Sequence, residues 1–152
     1  MAEIEKIGFN LIRVTTDQFA TICEPPPKDE KINVATNFRF GINPDSRNIG
    51  VFMKFTFIKA ENTPFLSVEG GCHFQIQESD WENLKNPEKN AVILPQGFVH
   101  HLMMLCVGTT RGILHAKTEN SPYNIYYIPL INVTQLIVGD LNFDFSKAVI
   151  SQ

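Results

Sequence analysis

The sequence has no long hydrophobic run. Nowhere in its 152 residues do about 18 consecutive apolar residues occur, the length that a membrane-spanning helix needs. Its first residues, MAEIEKIGFNL, carry charges of both signs and lack the apolar core of a secretory signal. Charged residues make up only 19% of the chain, and the net charge of −3 disfavours binding to nucleic acid through phosphate neutralisation. We therefore expect a cytoplasmic protein that neither inserts into a membrane nor binds nucleic acid.

Cysteine and histidine are too few, and too unfavourably spaced, for a recognisable metal site. Cys23, Cys72 and Cys106 share no Cys-x-x-Cys spacing, and the adjacent His100 and His101 would point about 100° apart on a helix. Cys72 and Cys106 stand among apolar residues, where a thiol is typically a small core residue. The chain also lacks a Gly-x-Ser-x-Gly motif, a glycine-rich phosphate loop and a pair of catalytic carboxylates. We expect no metal, no cofactor and no catalytic residue, and a Cys/His enzyme stays only as an alternative.

Apolar residues are abundant, at 43% with twelve phenylalanines, and in the first half of the chain they alternate with polar residues. Alternation with period two is typical of strands that bury one face of a sheet. In 33–42, for example, Val34 and Phe38 share one face and Arg39 lies on the other. The pattern predicts four strands in a single domain covering 1–152. The strands are expected at 6–16, 33–42, 49–59 and 65–77.

The connections between these strands predict their order in the sheet. The segments 43–48 and 60–64 are short and rich in turn residues, so the last three strands should form consecutive antiparallel hairpins. The segment 23–31 contains three consecutive prolines and is too long and stiff for a hairpin. A long crossover beside a three-strand meander is the Greek-key arrangement, which gives the order 1-4-3-2. Gly70 and Gly71 indicate a bulge or a close backbone approach in the fourth strand.

Helical signals follow residue 78. The polar segment 79–90 has room for one helical turn around Trp81, and Pro95 precedes a helix predicted over 97–115. Asn132 is placed to cap a short final helix that extends to about residue 142. The fold class is therefore α+β: a four-stranded antiparallel Greek-key sheet packed by a long helix and a short C-terminal helix. One apolar stripe of the long helix comprises Phe98, Leu102, Leu105, Cys106, Thr109 and Ile113.

The long helix is apolar around more than half of its circumference, because Val99, Met103 and Val107 widen the stripe. One sheet can cover only one face of a helix, so the remaining apolar surface requires another partner. Burial by the C-terminal segment and association with a second copy are both open. We predict a subunit interface formed by Phe98, Leu102, Leu105 and Thr109.

The order of these parts resembles the SecB family of protein-export chaperones. FNLIRVTTDQFA followed by a proline-bearing crossover is similar to the first strand and crossover loop of that family. The fourth strand of that family is similar to TPFLSVEGGCHFQI. Its long helix lies between stretches similar to VILP and the later TRG, and its last helix opens on a stretch similar to INVTQLI.

The resemblance implies an ATP-independent holdase for unfolded proteins or preproteins, assembled as a homotetramer that is a dimer of dimers. SecA would be a partner in export, and a toxin–antitoxin pair would be the partner of a member outside that route. The family offers sheet-face carboxylates to SecA, and near the matching places only Asp17 and Glu69 are acidic. A non-catalytic interaction protein with a dedicated partner is the alternative.

The aromatic segment after the long helix predicts where clients bind. Its prolines prevent one continuous helix, so it can lie over the second strand as a strip without sealing it. Methionine and aromatic side chains suit recognition of many different apolar segments. The predicted client-binding groove comprises Ile32, Val34, Phe38, Tyr123, Tyr126, Tyr127 and Ile128.

Overall fold

A computed structural model describes residues 6–145 apart from 87 and 89. The predicted single domain of 1–152 also includes the termini 1–5 and 146–152, which lie outside the described residues. The strands are β1 (Phe9–Thr21), β2 (Asn33–Asn43), β3 (Asn48–Lys59), β4 (Thr63–Ile76), β5 (Lys85–Asn86), β6 (Ala91–Leu94) and β7 (Leu141–Asp144). The helices are α1 (Glu78–Leu84) and α2 (Gln96–Thr118), with 3-10 turns at Ala60–Asn62 and Val133–Gln135.

The main sheet has the order β1-β4-β3-β2 and is antiparallel throughout, as predicted. The β2–β3 hairpin is in continuous register from Asn33 opposite Ile58 to Asn43 opposite Asn48. The proline-bearing crossover carries the chain from β1, at one edge, to β2, at the other. The observed strand order confirms the Greek-key prediction. The sequence could predict it because hairpin lengths and prolines restrict the possible connections.

The core lies between one face of this sheet and α2. The central strands β3 and β4 bury their alternating apolar residues almost completely, while β1 and β2 are partly exposed edge strands. From α2 the buried side chains are Phe98, Val99, Leu102, Met103, Cys106, Val107, Thr110, Leu114 and Thr118. The burial of Cys72 and Cys106 that their apolar surroundings predicted is confirmed.

Gly70 and Gly71 are places of close approach, as predicted. A methyl group on Gly70 would overlap with Thr110 of α2, and one on Gly71 would meet Thr15, Asp17 and Phe52. The bulges lie opposite, in β1, where the register with β4 shifts between Leu11 and Arg13 and between Thr16 and Gln18. The missing side chain at Gly70 therefore brings α2 directly against the backbone of the sheet.

The C-terminal part differs from the prediction of a helix up to residue 142. Asn132 does act as a cap, since its Oδ1 accepts a hydrogen bond from the Thr134 amide at 3.1 Å, but the turn ends at Gln135. β7 then pairs with β6, and β6 with β5, in a second, three-stranded sheet that the sequence did not predict. The alternation in Leu141–Asp144 is too short to be distinguished from a helical pattern.

Candidate functional site

A groove lies between the β2 edge of the main sheet and the segment that follows α2. Its volume is about 240 Å³, and it is lined by Ile32, Val34, Phe57, Ile125, Tyr126, Tyr127 and Pro129. The lining is almost entirely apolar, yet Ile125 and Tyr127 remain 60% and 72% exposed. The groove is thus open to solvent, with two large apolar side chains on its wall that the chain itself does not cover.

The wall of the groove is anchored to α2 through its backbone. Arg111 donates from Nε to the Ile128 carbonyl at 2.8 Å and from Nη2 to the Pro129 carbonyl at 2.9 Å. The Ile128 side chain is 1% exposed and packs in the core. The buried side chain of Ile128 and the two bound carbonyls, of Ile128 and Pro129, fix the backbone of this segment. Ile125 and Tyr127 therefore project to solvent from a fixed support.

Tyr126 forms the floor together with two phenylalanines. Its ring lies 6.1 Å from that of Phe57 and 5.0 Å from that of Phe65, centroid to centroid. Burial, followed by the charge of Glu30, raises the pKa of the Tyr126 phenol above its ordinary value. The phenol is therefore neutral at physiological pH, which keeps the floor uncharged.

The crossover is held against the same segment. Tyr123 donates its hydroxyl to the Cys23 carbonyl at 2.7 Å, and the Cys23 thiol donates to the Pro64 carbonyl at 3.4 Å. Lys59 donates from Nζ to the Glu24 carbonyl at 2.9 Å. These contacts hold the start of the crossover against Tyr123 and against the β3–β4 connection.

The structure brings together four of the seven residues that the sequence placed in the groove: Ile32, Val34, Tyr126 and Tyr127. Phe38 lies further along β2, against Phe40 at 5.9 Å between ring centroids, while Tyr123 holds the crossover and Ile128 is buried. Sequence reasoning missed Phe57, Ile125 and Pro129. The hairpin register could have identified Phe57, because it is the cross-strand partner of Val34.

The residues of the predicted subunit interface divide into two pairs. Phe98 and Leu102 are buried against the chain's own sheet, whereas Leu105 is 41% exposed and Thr109 is half-buried. Further exposed apolar side chains lie on α2 and on the neighbouring edge strand β1, and together with Leu105 we call them the α2–β1 surface. The α2–β1 surface comprises Leu11, Val14, Met104 and Leu105.

The paired histidines have different roles next to this surface. His100 Nε2 lies 2.8 Å from the Ile137 carbonyl, as a donor in the corresponding tautomer, and ties the C-terminal segment to α2. The His101 ring packs edge-on against Phe9, with 5.8 Å between centroids. Both also line a second apolar groove of about 650 Å³, between α2 and 130–134. Neither histidine belongs to a cluster of three potential metal ligands within the described part of the chain.

The outer face of the sheet is a mixed-charge surface. Phe52 lies flat over Gly50 and Gly71, and the Arg39 guanidinium covers its ring at 3.8 Å from the centroid. Arg39 also contacts Glu69 at 3.2 Å, and the Asp17 carboxylate accepts a hydrogen bond from Thr15 at 2.8 Å. Both carboxylates to which the resemblance draws attention, Asp17 and Glu69, thus make contacts within the chain.

No helix among the described residues is long and apolar enough to cross a membrane.

No family model and no curated protein matches the chain. Among solved structures the chain is similar to a SecB-like chaperone of Mycobacterium tuberculosis (Rv1957), solved in complex with a ChAD peptide from the HigA1 antitoxin (Rv1956). The TM-score is 0.46 and the sequence identity 10%, over 84% of this chain and 90% of that one. A likeness at this level of identity concerns the fold alone.

Proposed function

We propose that the protein is an ATP-independent chaperone that holds apolar segments of unfolded polypeptides in the groove beside β2. The observation that carries this proposal is the pair of exposed side chains, Ile125 and Tyr127, on the wall of an apolar groove. A bound segment would remove both from water, a gain of about 25 cal/mol per Å² of apolar surface. No nucleotide is needed, since apolar contact supplies the binding energy.

The size of the groove favours a polymeric ligand over a small molecule. Its volume of about 240 Å³ is below the range of roughly 300–1,000 Å³ that is usual for small-molecule sites. A groove of this size accommodates one large side chain of a longer peptide, and the remainder of the peptide stays in water. Recognition of single apolar side chains gives low sequence specificity, which suits a holdase.

The wall residues provide the test, because they are exposed and substitution should not affect folding. We expect Ile125→Ser combined with Tyr127→Ser to weaken binding of a fluorescent apolar peptide about tenfold, a loss of roughly 1.4 kcal/mol. The free energy of unfolding should change by less than about 0.5 kcal/mol, as is usual at exposed positions. Fluorescence anisotropy and a urea titration measure the two quantities.

Val138→Ser is the matched control, since Val138 is 87% exposed and lines neither of the two grooves described above. It should leave peptide affinity unchanged. Full affinity in the double variant, or an equal loss in the control, would show that clients bind elsewhere. Adding ATP should change neither affinity, in line with a holdase.

The breadth of client selection distinguishes export from a dedicated role in the cytoplasm. A chaperone for preproteins, which would deliver clients to SecA, should bind many unrelated apolar peptides with similar affinity. A dedicated partner, such as the antitoxin of a toxin–antitoxin pair, would instead bind far more tightly than the other peptides. The engaged carboxylates of Asp17 and Glu69 favour partners other than one that reads an acidic sheet face.

We also propose that the protein self-associates through the α2–β1 surface. Its members Leu11 and Met104 are each 52% exposed, and Val14 is 46% exposed, beside Leu105. Covering these side chains with a second copy would remove them from water. The resemblance to the SecB family implies that the assembly is a homotetramer, built as a dimer of dimers.

A further inference from the structure

Cys72 of β4 and Cys106 of α2 meet where the helix comes closest to the sheet. The Cys106 sulfur lies 3.3 Å from the Val51 carbonyl oxygen and 3.5 Å from that of Gly70. Val51 is the cross-strand partner of Cys72, and Gly70 precedes Cys72 by two residues on the same face. Cys106 therefore lies over the patch of sheet to which Cys72 belongs, so the two thiols are neighbours in the core.

The surroundings stabilise a thiolate on Cys72. Hydrogen bonds from the Cys106 thiol and, more weakly, from the Thr109 hydroxyl lower the pKa of Cys72 to about 7, although burial acts in the opposite direction. The pKa of Cys106 is raised, first by its hydrogen bond to Cys72 and then by burial. The Cys106 sulfur also lies within donor distance of the Val51 and Gly70 carbonyl oxygens, which favours its protonated form, so we assign the nucleophilic thiolate to Cys72.

The edge strand β1 lies directly beside Cys72 in the sheet. Val14 of the edge strand β1 pairs with Cys72, and a register shift interrupts the pairing on each side of Val14. Thr109, on the other side of Cys72, is only half-buried. Because both thiols are at most 1% exposed, hydrogen peroxide would reach them through a local opening of the β1 edge in a copy whose α2–β1 surface is not covered.

We propose that Cys72 and Cys106 form a reversible disulfide within one chain when the protein meets hydrogen peroxide, and that this bond fastens α2 to the sheet. The Cys72 thiolate attacks one peroxide oxygen, the O–O bond breaks, and the departing hydroxide takes a proton to become water. Cys106, which loses its hydrogen bond to the thiolate once Cys72 is a sulfenic acid, then attacks the Cys72 sulfur and displaces a second water. Two thiols and one peroxide thus give one disulfide and two waters, a two-electron oxidation of the sulfurs.

The test uses the full chain with Cys23→Ser, which removes the remaining thiol. The folded protein is treated with hydrogen peroxide and then unfolded in the presence of N-ethylmaleimide, which alkylates any free thiol. Its mass is then measured by mass spectrometry. We expect a loss of about 2 Da with no maleimide attached, and dithiothreitol should restore both thiols. A non-reduced digest should contain the linked peptides of Cys72 and Cys106. The melting temperature of the oxidised protein should rise by roughly 5–10 °C, because the bond constrains the unfolded chain.

A second variant separates the two steps. With Cys106→Ser added, Cys72 should stop at the sulfenic acid, which dimedone traps. Three outcomes would overturn the proposal: two thiols that remain free after peroxide treatment, oxidation to sulfinic acid without a crosslink, or a disulfide that joins two chains on a non-reducing gel. If Cys106→Ser does not fold, the mass of the Cys23→Ser protein alone still decides the matter.

Discussion

At the scale of single residues, Gly70 determines how closely α2 packs on the sheet. A side chain there would overlap with Thr110, which is fully buried and whose hydroxyl donates to the Cys106 carbonyl at 2.7 Å. Thr110 is β-branched and cannot easily turn away. We expect Gly70→Ala to lower the free energy of unfolding by about 1–3 kcal/mol, the usual cost of overpacking a core. Urea denaturation followed by circular dichroism measures this loss.

Gly112 gives a matched control on the same helix. An added methyl group there meets nothing within 4 Å, so Gly112→Ala should instead stabilise the protein by about 0.5–1 kcal/mol through helix propensity. If Gly70→Ala were as well tolerated as Gly112→Ala, the close approach of α2 to β4 would be wrong. The Cys72–Cys106 contact depends on the same approach.

His73 makes stability depend on pH. Its ring lies edge-on to Phe52, 5.3 Å between centroids, and its buried Nε2 has no hydrogen-bond partner among the described residues. Burial, and then the charge of Arg13, lower the pKa of His73 below its ordinary value, against the smaller effect of Asp17. Because the unfolded chain binds this proton more readily, stability is complete above a pH of about 6.5 and falls as the pH drops through that value.

We therefore expect the melting temperature to fall between about pH 7.5 and pH 5.5, and to fall less in the His73→Gln variant. The comparison of slopes isolates His73 from the other histidines, which both proteins share. An identical pH dependence in the two proteins would mean that His73 is protonated as easily in the folded state as in the unfolded chain.

At the scale of elements, the sequence was sufficient for the main sheet because each strand carries its own periodicity. Val34 and Phe38 alternate with Asn37 and Arg39, and the short 43–48 turn permits only a hairpin. The position of α2 was predicted within three residues at either end. Short-range patterns are decisive wherever one face is buried and the connection is short.

The face of α2 and the C-terminal segment were predicted less well, because both depend on contacts between distant residues. Leu105 and Leu102 are equally apolar in the sequence, and only the sheet decides that Leu102 is buried and Leu105 exposed. Likewise, β7 is a strand because β6 offers it an edge, 47 positions earlier at the pairing of Leu94 with Leu141. Groove residues such as Ile125 depend on Arg111, which determines where the chain after α2 lies.

At the scale of the whole molecule, two of the uncovered apolar surfaces among the described residues lie at opposite edges of the main sheet. The groove beside β2 lies at one edge strand, and the α2–β1 surface includes the other edge strand of the same sheet. The two central strands separate these edges, so under the proposed function one edge could bind a client while a second copy covers the other. If both proposals hold, this separation would let the assembly persist while its grooves fill and empty.

The final prediction tests the assembly with two leucines of one helix. Leu105→Glu places a charge at a position that is 41% exposed, so the chain should still fold, but the second copy would have to bury an unpaired carboxylate at a cost of several kcal/mol. We expect light scattering at micromolar concentration to give a multimer for the unmodified protein and a smaller mass for Leu105→Glu. Leu102→Glu buries the same charge within the chain, where Leu102 is 0% exposed, and should abolish folding altogether. Ala116→Glu, at an exposed position near the end of α2, should change neither mass nor folding. A monomeric unmodified protein, or a Leu105→Glu variant of unchanged mass, would mean that the α2–β1 surface is not where copies meet.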